Sequence, residues 1–309
     1  MNQTKRRSRF HRDEKPFELT DRDREILEAI FRYRYITARG LIARFGRPRA
    51  IYRRLTALYH GGYVQRLFLF ERPQGYGSPE AIYVIDKPGA REVTGGQFER
   101  HRTKIERRAK IGRHHLKHAL GLSEFQLCLD LAAEQQEGVA VERFIADRED
   151  KKMVFAVSVP RYRVSRKGPE RKGGTERLTL WPDAEFTIAS ETGRSYYFLE
   201  SDFADRKPER LFKRFLAYWQ YTVRDRAQLF HDRGVNGALV LFITSGERQQ
   251  ETLIKIAEQV PEIRRNRPGF WFLNREDLSF EHPARLIAQP IVKGLDGHPG
   301  FLTKPPKSA

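Results

Sequence analysis

The chain has 309 residues, with 58 Lys+Arg against 40 Asp+Glu and a formal net charge of +18. Its 39% hydrophobic and 12% aromatic content is too apolar for wholesale disorder, and the length suits two modest domains. No run approaches the roughly 20 apolar residues of a membrane span, and Lys5, Arg6, Arg7 and Arg9 lead into more charge rather than an apolar signal core, so the expectation is a cytoplasmic protein whose positive excess seeks a polyanion, most commonly nucleic acid.

Residues 1–18 read as a flexible basic arm. At Thr20 the pattern changes: a cap, Asp21 and Asp23 in a first turn, and Ile26, Leu27, Ile30 and Phe31 at helical spacing predict an amphipathic helix. A second short helix follows from Thr37 through Leu41, Ile42 and Phe45 to Gly46. The third opens at Pro48, buries Ile51, Leu55 and Leu58, and ends at Gly61-Gly62. Tyr63 to Phe70 and Ala81 to Ile85 then alternate with period two around a Pro/Gly loop. Three helices and a hairpin are the order of a winged helix-turn-helix, expected over 19–90. The polar side of the third helix carries Arg47, Arg49, Arg53, Arg54 and His60, where a recognition helix keeps its groove-facing residues.

Residues 91–120 are expected as a basic linker helix. Its stretch 101–118 holds seven Lys/Arg and four His against Glu106 alone, and Arg107, Arg108, Lys110 and Arg113 are placed along a phosphate backbone. His114 and His118, four apart, have a spacing that metal sites use, but no Glu stands between them as in a zinc protease, which favours a basic helix face. The single cysteine, Cys128, sits in an apolar run, so it reads as core and permits neither an intramolecular disulfide nor a Cys-based zinc site.

From Ser123 to Asp150 the balance inverts to eight acids against Arg143 and Arg148, marking a second domain over 121–281. Strands are expected at 139–146 and 153–159, then a mobile basic loop over 160–177. A hairpin follows, with strands at 183–189 and 195–201. Its turn lies midway between Asp183 and Glu200, so these carboxylates should stand opposite each other. Alternation adds Glu185 and Asp202 to the same face. Facing like charges are unfavourable, so the cluster wants a cation. That cation is either a divalent metal, for which carboxylate oxygens suit Mg²⁺ or Mn²⁺, or a nearby Lys or Arg. The plain alternative is an exposed acidic hairpin edge. A helix from Pro208, a strand at 238–243, a helix at 249–260 and a strand at 270–273 complete an α/β (α+β) sheet domain, and 282–309 reads as a flexible tail.

TDRDREILEAI, HALGLSEF at 118–125, WPDAEF at 181–186, YYFLESDF at 196–203 and KRFLAY at 213–218 together resemble the replication-relaxation family of plasmid and mobile-element proteins. The resemblance spans roughly Thr20 to Phe280 and implies a winged helix followed by a restriction-endonuclease-like mixed-sheet domain, similar to PD-(D/E)xK nucleases. On that resemblance Asp183 and Glu200 match the two metal-binding acids, with Glu142 as a third ligand, and Mg²⁺ or Mn²⁺ as the cofactor. The sequence departs from the nuclease pattern at Asp202, which stands where the nuclease has lysine, and Lys213 is the candidate to replace it. Relaxase chemistry would need a tyrosine nucleophile, for which Tyr218 and Tyr221 are available, although neighbouring Phe215 and Trp219 favour packing.

Two readings follow. In one, Asp183, Glu200, Asp202 and Lys213 nick DNA with a metal. In the other, the nuclease-like domain is an inactive scaffold or accessory regulator. In both, the partners are double-stranded DNA and other replication or mobilisation proteins, with no membrane.

Overall fold

The computed structural model describes residues 12, 17–69, 79–146, 154–165, 167–201, 207–266 and 269–303. Most of the basic arm and Asp202 lie outside the described residues. The chain divides into two units, Met1–Leu127 and Cys128–Ala309.

The first unit opens with α1 (Asp21–Tyr33). Its cap is reciprocal: the Asp23 N–H donates to the Thr20 hydroxyl, and the Thr20 N–H donates to the Asp23 carboxylate at 2.8 Å. After β1 (Ile36–Thr37), the Thr37 hydroxyl caps α2 (Ala38–Phe45) by accepting the Gly40 N–H. Helix α3 (Pro48–His60) starts on a proline, which loses no hydrogen bond there. Strands β2 (Val64–Leu67) and β3 (Ile82–Ile85) complete an antiparallel sheet of order β1-β3-β2. Ile26, Leu27, Ile30, Leu41, Ile51, Leu55, Leu58 and Val64 are all buried, while Ile82 and Val84 of β3 cluster with Tyr35, Leu116 and Leu120.

Residues 91–120 do not form one linker helix. They are divided among α4 (Lys87–Thr94), α5 (Phe98–Ala109) and α6 (Arg113–Glu134). The interruptions coincide with Gly95-Gly96 and with Gly112, whose conformational freedom disfavours helix continuation. Phe98, Ile105 and Leu116 are buried, so this charged stretch is also part of the fold.

The second unit is built on a seven-stranded mixed sheet: β4 (Ala140–Ile145), β7 (Ala184–Ser190), β8 (Gly193–Ser201), β9 (Leu239–Thr244), β10 (Phe270–Asn274), β11 (Val292–Gly294) and β12 (Pro299–Gly300), in the order β12-β11-β10-β9-β8-β7-β4. The pairs β8/β9 and β9/β10 are parallel, and the remaining neighbours are antiparallel. Strands β5 (Phe155–Ser165) and β6 (Gly168–Leu180) form a separate two-stranded ribbon. Helices α7 (Pro208–Trp219), α8 (Arg226–Arg233), α9 (Glu247–Glu258), α10 (Pro261–Arg265) and α11 (Arg285–Ala288) complete the unit, with a π-helical turn over Gln220–Arg224. Helix α7 presses Phe212, Phe215 and Tyr218 onto Phe198, Phe242, Phe270 and Phe272. The Phe215 and Phe242 ring centroids are 4.9 Å apart. Cys128 is buried.

Two further expectations are corrected. Residues 160–165 and 168–177 are ribbon rather than loop, because Val157 and Val159, and Tyr162 beyond a bulge, turn inward and anchor one side in the core. The stretch from His282 to Thr303 is not a loose tail: it supplies α11 and the two outermost strands on one side of the sheet, and the buried Tyr197 hydroxyl donates to the Leu302 carbonyl. Such short strands carry too few residues to show a period.

Candidate functional site

Strands β7 and β8 pair with Ala184 opposite Leu199, the register that sets Asp183 across from Glu200. Asp183 closes the end of the hairpin: its N–H donates to the Leu199 carbonyl at 2.9 Å, and its carboxylate accepts the Ser201 N–H at 2.8 Å. Glu200 lies one strand in from there, flanked on its other side by Phe242 of β9, and is 0% exposed. A carboxylate in the middle of a sheet needs a cation from the layer covering it.

Helix α7 supplies one. Arg214 and Tyr218 are four apart and therefore share a helix face. Both donate to the same oxygen of Glu200, and the Arg214 guanidinium also donates to the Trp181 carbonyl at 2.9 Å. Burial works against charge on Arg214, but the Glu200 carboxylate, Tyr218 and Asp183 more than offset it, so its proton is held more tightly than in solution. Burial, reinforced by Glu200, raises the Tyr218 phenol well above its ordinary value.

Glu185, two residues along β7, repeats the arrangement. Arg233 of α8 grips it at both oxygens, 2.9 and 3.0 Å, and the Tyr196 hydroxyl adds a third donor. Arg233 also lies 4.4 Å from the Phe155 ring centroid. Glu200 and Glu185 thus each meet an arginine and a tyrosine.

The other residues singled out by sequence fall elsewhere. Glu142 sits at a bulge in β4 and pairs with Arg194 at 2.8 Å. Its neighbours on β7 are Thr187 and Ile188, four to five residues from Asp183 and so about 15 Å along the strand. The structure therefore does not bring Glu142 to Asp183 and Glu200. Lys213 turns away from Glu200 to pair with Glu176 of β6 at 2.9 Å, and the adjacent Arg214 takes the place expected for it. Among the described residues, no three of His, Cys, Asp and Glu form a group able to hold a metal ion, His114 and His118 included. Tyr218 and Tyr221 are both fully buried and donate to Glu200 and Asp232, and burial raises both phenols, which disfavours the phenolate that a nucleophile needs.

In the first unit, α3 turns Ile51, Leu55 and Leu58 inward and leaves Arg49, Tyr52, Arg53 and Thr56 outward at spacings of three, four and seven. Tyr52 is 55% exposed, a large aromatic between two arginines. Sequence reading followed the charges and passed over this residue, although the stripe complementary to Ile51/Leu55/Leu58 contains it. Arg47, exposed, holds the left-handed backbone (φ 51°) just before the helix.

Arg54 is committed differently. Its Nε donates to Asp23 at 2.6 Å, and its guanidinium lies 4.9 Å from the Phe17 ring centroid, so it ties α3 to the buried cap of α1. Burial alone would raise the Asp23 carboxyl, but the hydrogen bonds from Arg54 and Thr20 outweigh it and hold that carboxyl below the usual range. Arg107 and Arg108 lie in the last turn of α5, Lys110 caps it and Arg113 opens α6, so these four cluster around one interhelix break.

A family model described as replication-relaxation matches residues 27–239, about two thirds of the chain. No curated protein and no solved structure matches it.

Proposed function

The chain belongs to the replication-relaxation family, and from that premise we propose that it is a DNA-binding protein acting in replication or relaxation of a plasmid or other mobile element. The observation that carries this reading is the outward face of α3, where Arg49, Tyr52 and Arg53 stand exposed on a helix held against a small antiparallel sheet. This is the presentation of a winged-helix recognition helix. Arginines at such positions reach phosphates or guanine edges, and a tyrosine between them adds apolar contact in the groove.

In the second unit the arginines support binding rather than cleavage. A divalent cation at Glu200 would lie beside the Arg214 guanidinium, which already occupies one carboxylate oxygen together with Tyr218, and Arg233 engages both oxygens of Glu185. As held here, these residues do not fit Mg²⁺ or Mn²⁺, and no cleavage step is derived through one. They fit a scaffold in which buried ion pairs bolt α7 and α8 to the sheet.

The primary test is equilibrium binding of the parent and the Arg49→Ala, Arg53→Ala double variant to duplex DNA. Loss of affinity by tenfold or more is expected, and equal affinity for target and random duplex in parent and variant would overturn the assignment of α3.

One observation favours a second reading: Asp183 and Glu200 face each other across the hairpin as the acids of a metal-dependent nuclease do. Supercoiled plasmid incubated with Mg²⁺ or Mn²⁺ decides this. Open-circular product from the parent, absent from an Asp183→Ala, Glu200→Ala variant, would replace the scaffold reading with an enzymatic one.

A further inference from the structure

The ribbon β5–β6 is amphipathic in an unusual sense. One side is anchored: Phe155, Val157, Val159, Tyr162 and Leu180 are buried, the Tyr162 ring meets Phe212 of α7 at 5.3 Å, and its hydroxyl donates to Glu262 of α10 at 2.8 Å. The other side is open and basic. Residues 155–180 carry seven Lys/Arg and two Glu, and both glutamates are engaged, Glu170 by Lys172 and Glu176 by Lys213. Arg161, Arg163, Lys167 and Arg177 are exposed there, and among the described residues none has a carboxylate within ion-pair distance; Arg171, opposite Tyr162, lies on the other face.

A bulge shapes this surface. The register steps from Pro160 opposite Thr175 to Tyr162 opposite Arg171, so Lys172, Gly173 and Gly174 stand against Arg161 alone. Gly174, at φ +80°, supplies a left-handed backbone that other residues rarely adopt. Bulges of this kind increase local twist and re-aim side chains. Beyond it, Arg163 faces outward as Arg177 does before it. From Ser158, the partner of Arg177, to Arg163 is five residues, or about 16 Å. Duplex DNA carries one phosphate per about 1.7 Å of axis, so such a span runs beside roughly nine of them. Two strands about 4.8 Å apart, with their side chains, also match a major groove about 12 Å wide. Unneutralised arginines gathered on a rigid ribbon repel one another, and a polyanion relieves that repulsion.

We propose that the open face of the β5–β6 ribbon is a second duplex-DNA contact, tracking the phosphate backbone independently of α3. The proposal rests on the DNA-binding reading above for the identity of the polyanion, and on the ribbon itself for the site.

The experiment uses the full chain and a fluorescein-labelled random-sequence duplex of about 30 base pairs, with binding followed by anisotropy between about 50 and 200 mM KCl. The variant is Arg161→Gln, Arg163→Gln, Arg177→Gln. Three lost phosphate contacts should reduce the slope of log K against log[salt] by about 2 to 3 and weaken binding more than tenfold. A second variant, Ser158→Glu with Thr179→Glu, adds opposing charge to the same exposed face and should weaken binding while removing no parent group. Unchanged tryptophan emission and circular dichroism establish that both variants are folded. The Arg49→Ala, Arg53→Ala variant runs alongside. Loss in both ribbon variants supports the site. Full retention in both, with loss only in the α3 variant, overturns the ribbon and leaves α3 standing. A parent that does not bind duplex DNA overturns both readings. Retained duplex affinity with loss only for an RNA single strand or an acidic polypeptide overturns DNA as the occupant.

Discussion

Removal of Arg214 tests the account of the second unit most directly. In Arg214→Leu, Glu200 stays in the middle of the sheet at 0% exposure with the Tyr218 hydroxyl still donating, but its guanidinium is gone. The cheapest response is to take up a proton. For a glutamate with an ordinary value of about 4.3, neutrality at pH 7 costs about 1.4 kcal/mol per pH unit over roughly 2.7 units, or about 3.7 kcal/mol. This lies within the range of about 3 to 5 kcal/mol expected when one partner of a buried pair is deleted. At pH 5 the same reasoning leaves about 1 kcal/mol. The sign follows from linkage: the variant's native state keeps a proton that its unfolded state releases above about pH 4.3, so the deficit grows as pH rises. Urea unfolding followed by tryptophan fluorescence suits the measurement, because Trp181, Trp219 and Trp271 all lie in the second unit. The double variant Arg214→Leu, Glu200→Leu should recover most of the loss, since an apolar pair of similar volume replaces a desolvated ion pair at little cost. A deficit that is the same at pH 5 and pH 7, or a double variant no more stable than the single, would refute the reasoning.

Further outcomes follow from the same structure. Lys213→Ala, which removes a partly exposed pair with Glu176, should cost under about 1 kcal/mol in the same urea assay, well below Arg214→Leu; an equal cost would mean that Lys213 and not Arg214 carries the buried charge. Because the Asp23 carboxyl is held below its usual range, its contribution is complete above about pH 3.9 and fades as pH falls through the lowered native value. The stability gap between parent and Asp23→Asn, read by circular dichroism, should therefore be largest near neutrality and shrink toward pH 2; a gap independent of pH would contradict this. At Gly89 an added Cβ would stand 2.3 Å from the Tyr63 carbonyl oxygen, so Gly89→Ala must displace α4 and should cost about 1 to 3 kcal/mol, whereas Gly96→Ala, with open space around it, should cost little. Comparable melting temperatures for the two variants would show that this close approach does not constrain the unit.

What was legible in the sequence was what neighbouring residues decide among themselves. Thr20 with Asp23, Pro48 and the spacing of Ile51, Leu55 and Leu58 set the helices of the first unit, because caps and a 3.6-residue period act within a few residues. The opposition of Asp183 and Glu200 was legible too, since a short turn transmits register along both strands. Composition misled where it was taken for conformation: the glycines and arginines of 160–165 and 168–177 belong to a bulged ribbon anchored by Val157, Val159 and Tyr162, and the short strands near the C-terminus hold their places by pairing with the sheet. Only the tertiary structure decided which cation answers each carboxylate. Arg214 lies 14 residues from Glu200 and Arg233 lies 48 residues from Glu185, and no local rule selects them over Lys213. The choice depends on which face of α7 and α8 the buried phenylalanines turn toward the sheet, because a charge in the core is satisfied only by what the packing carries in beside it.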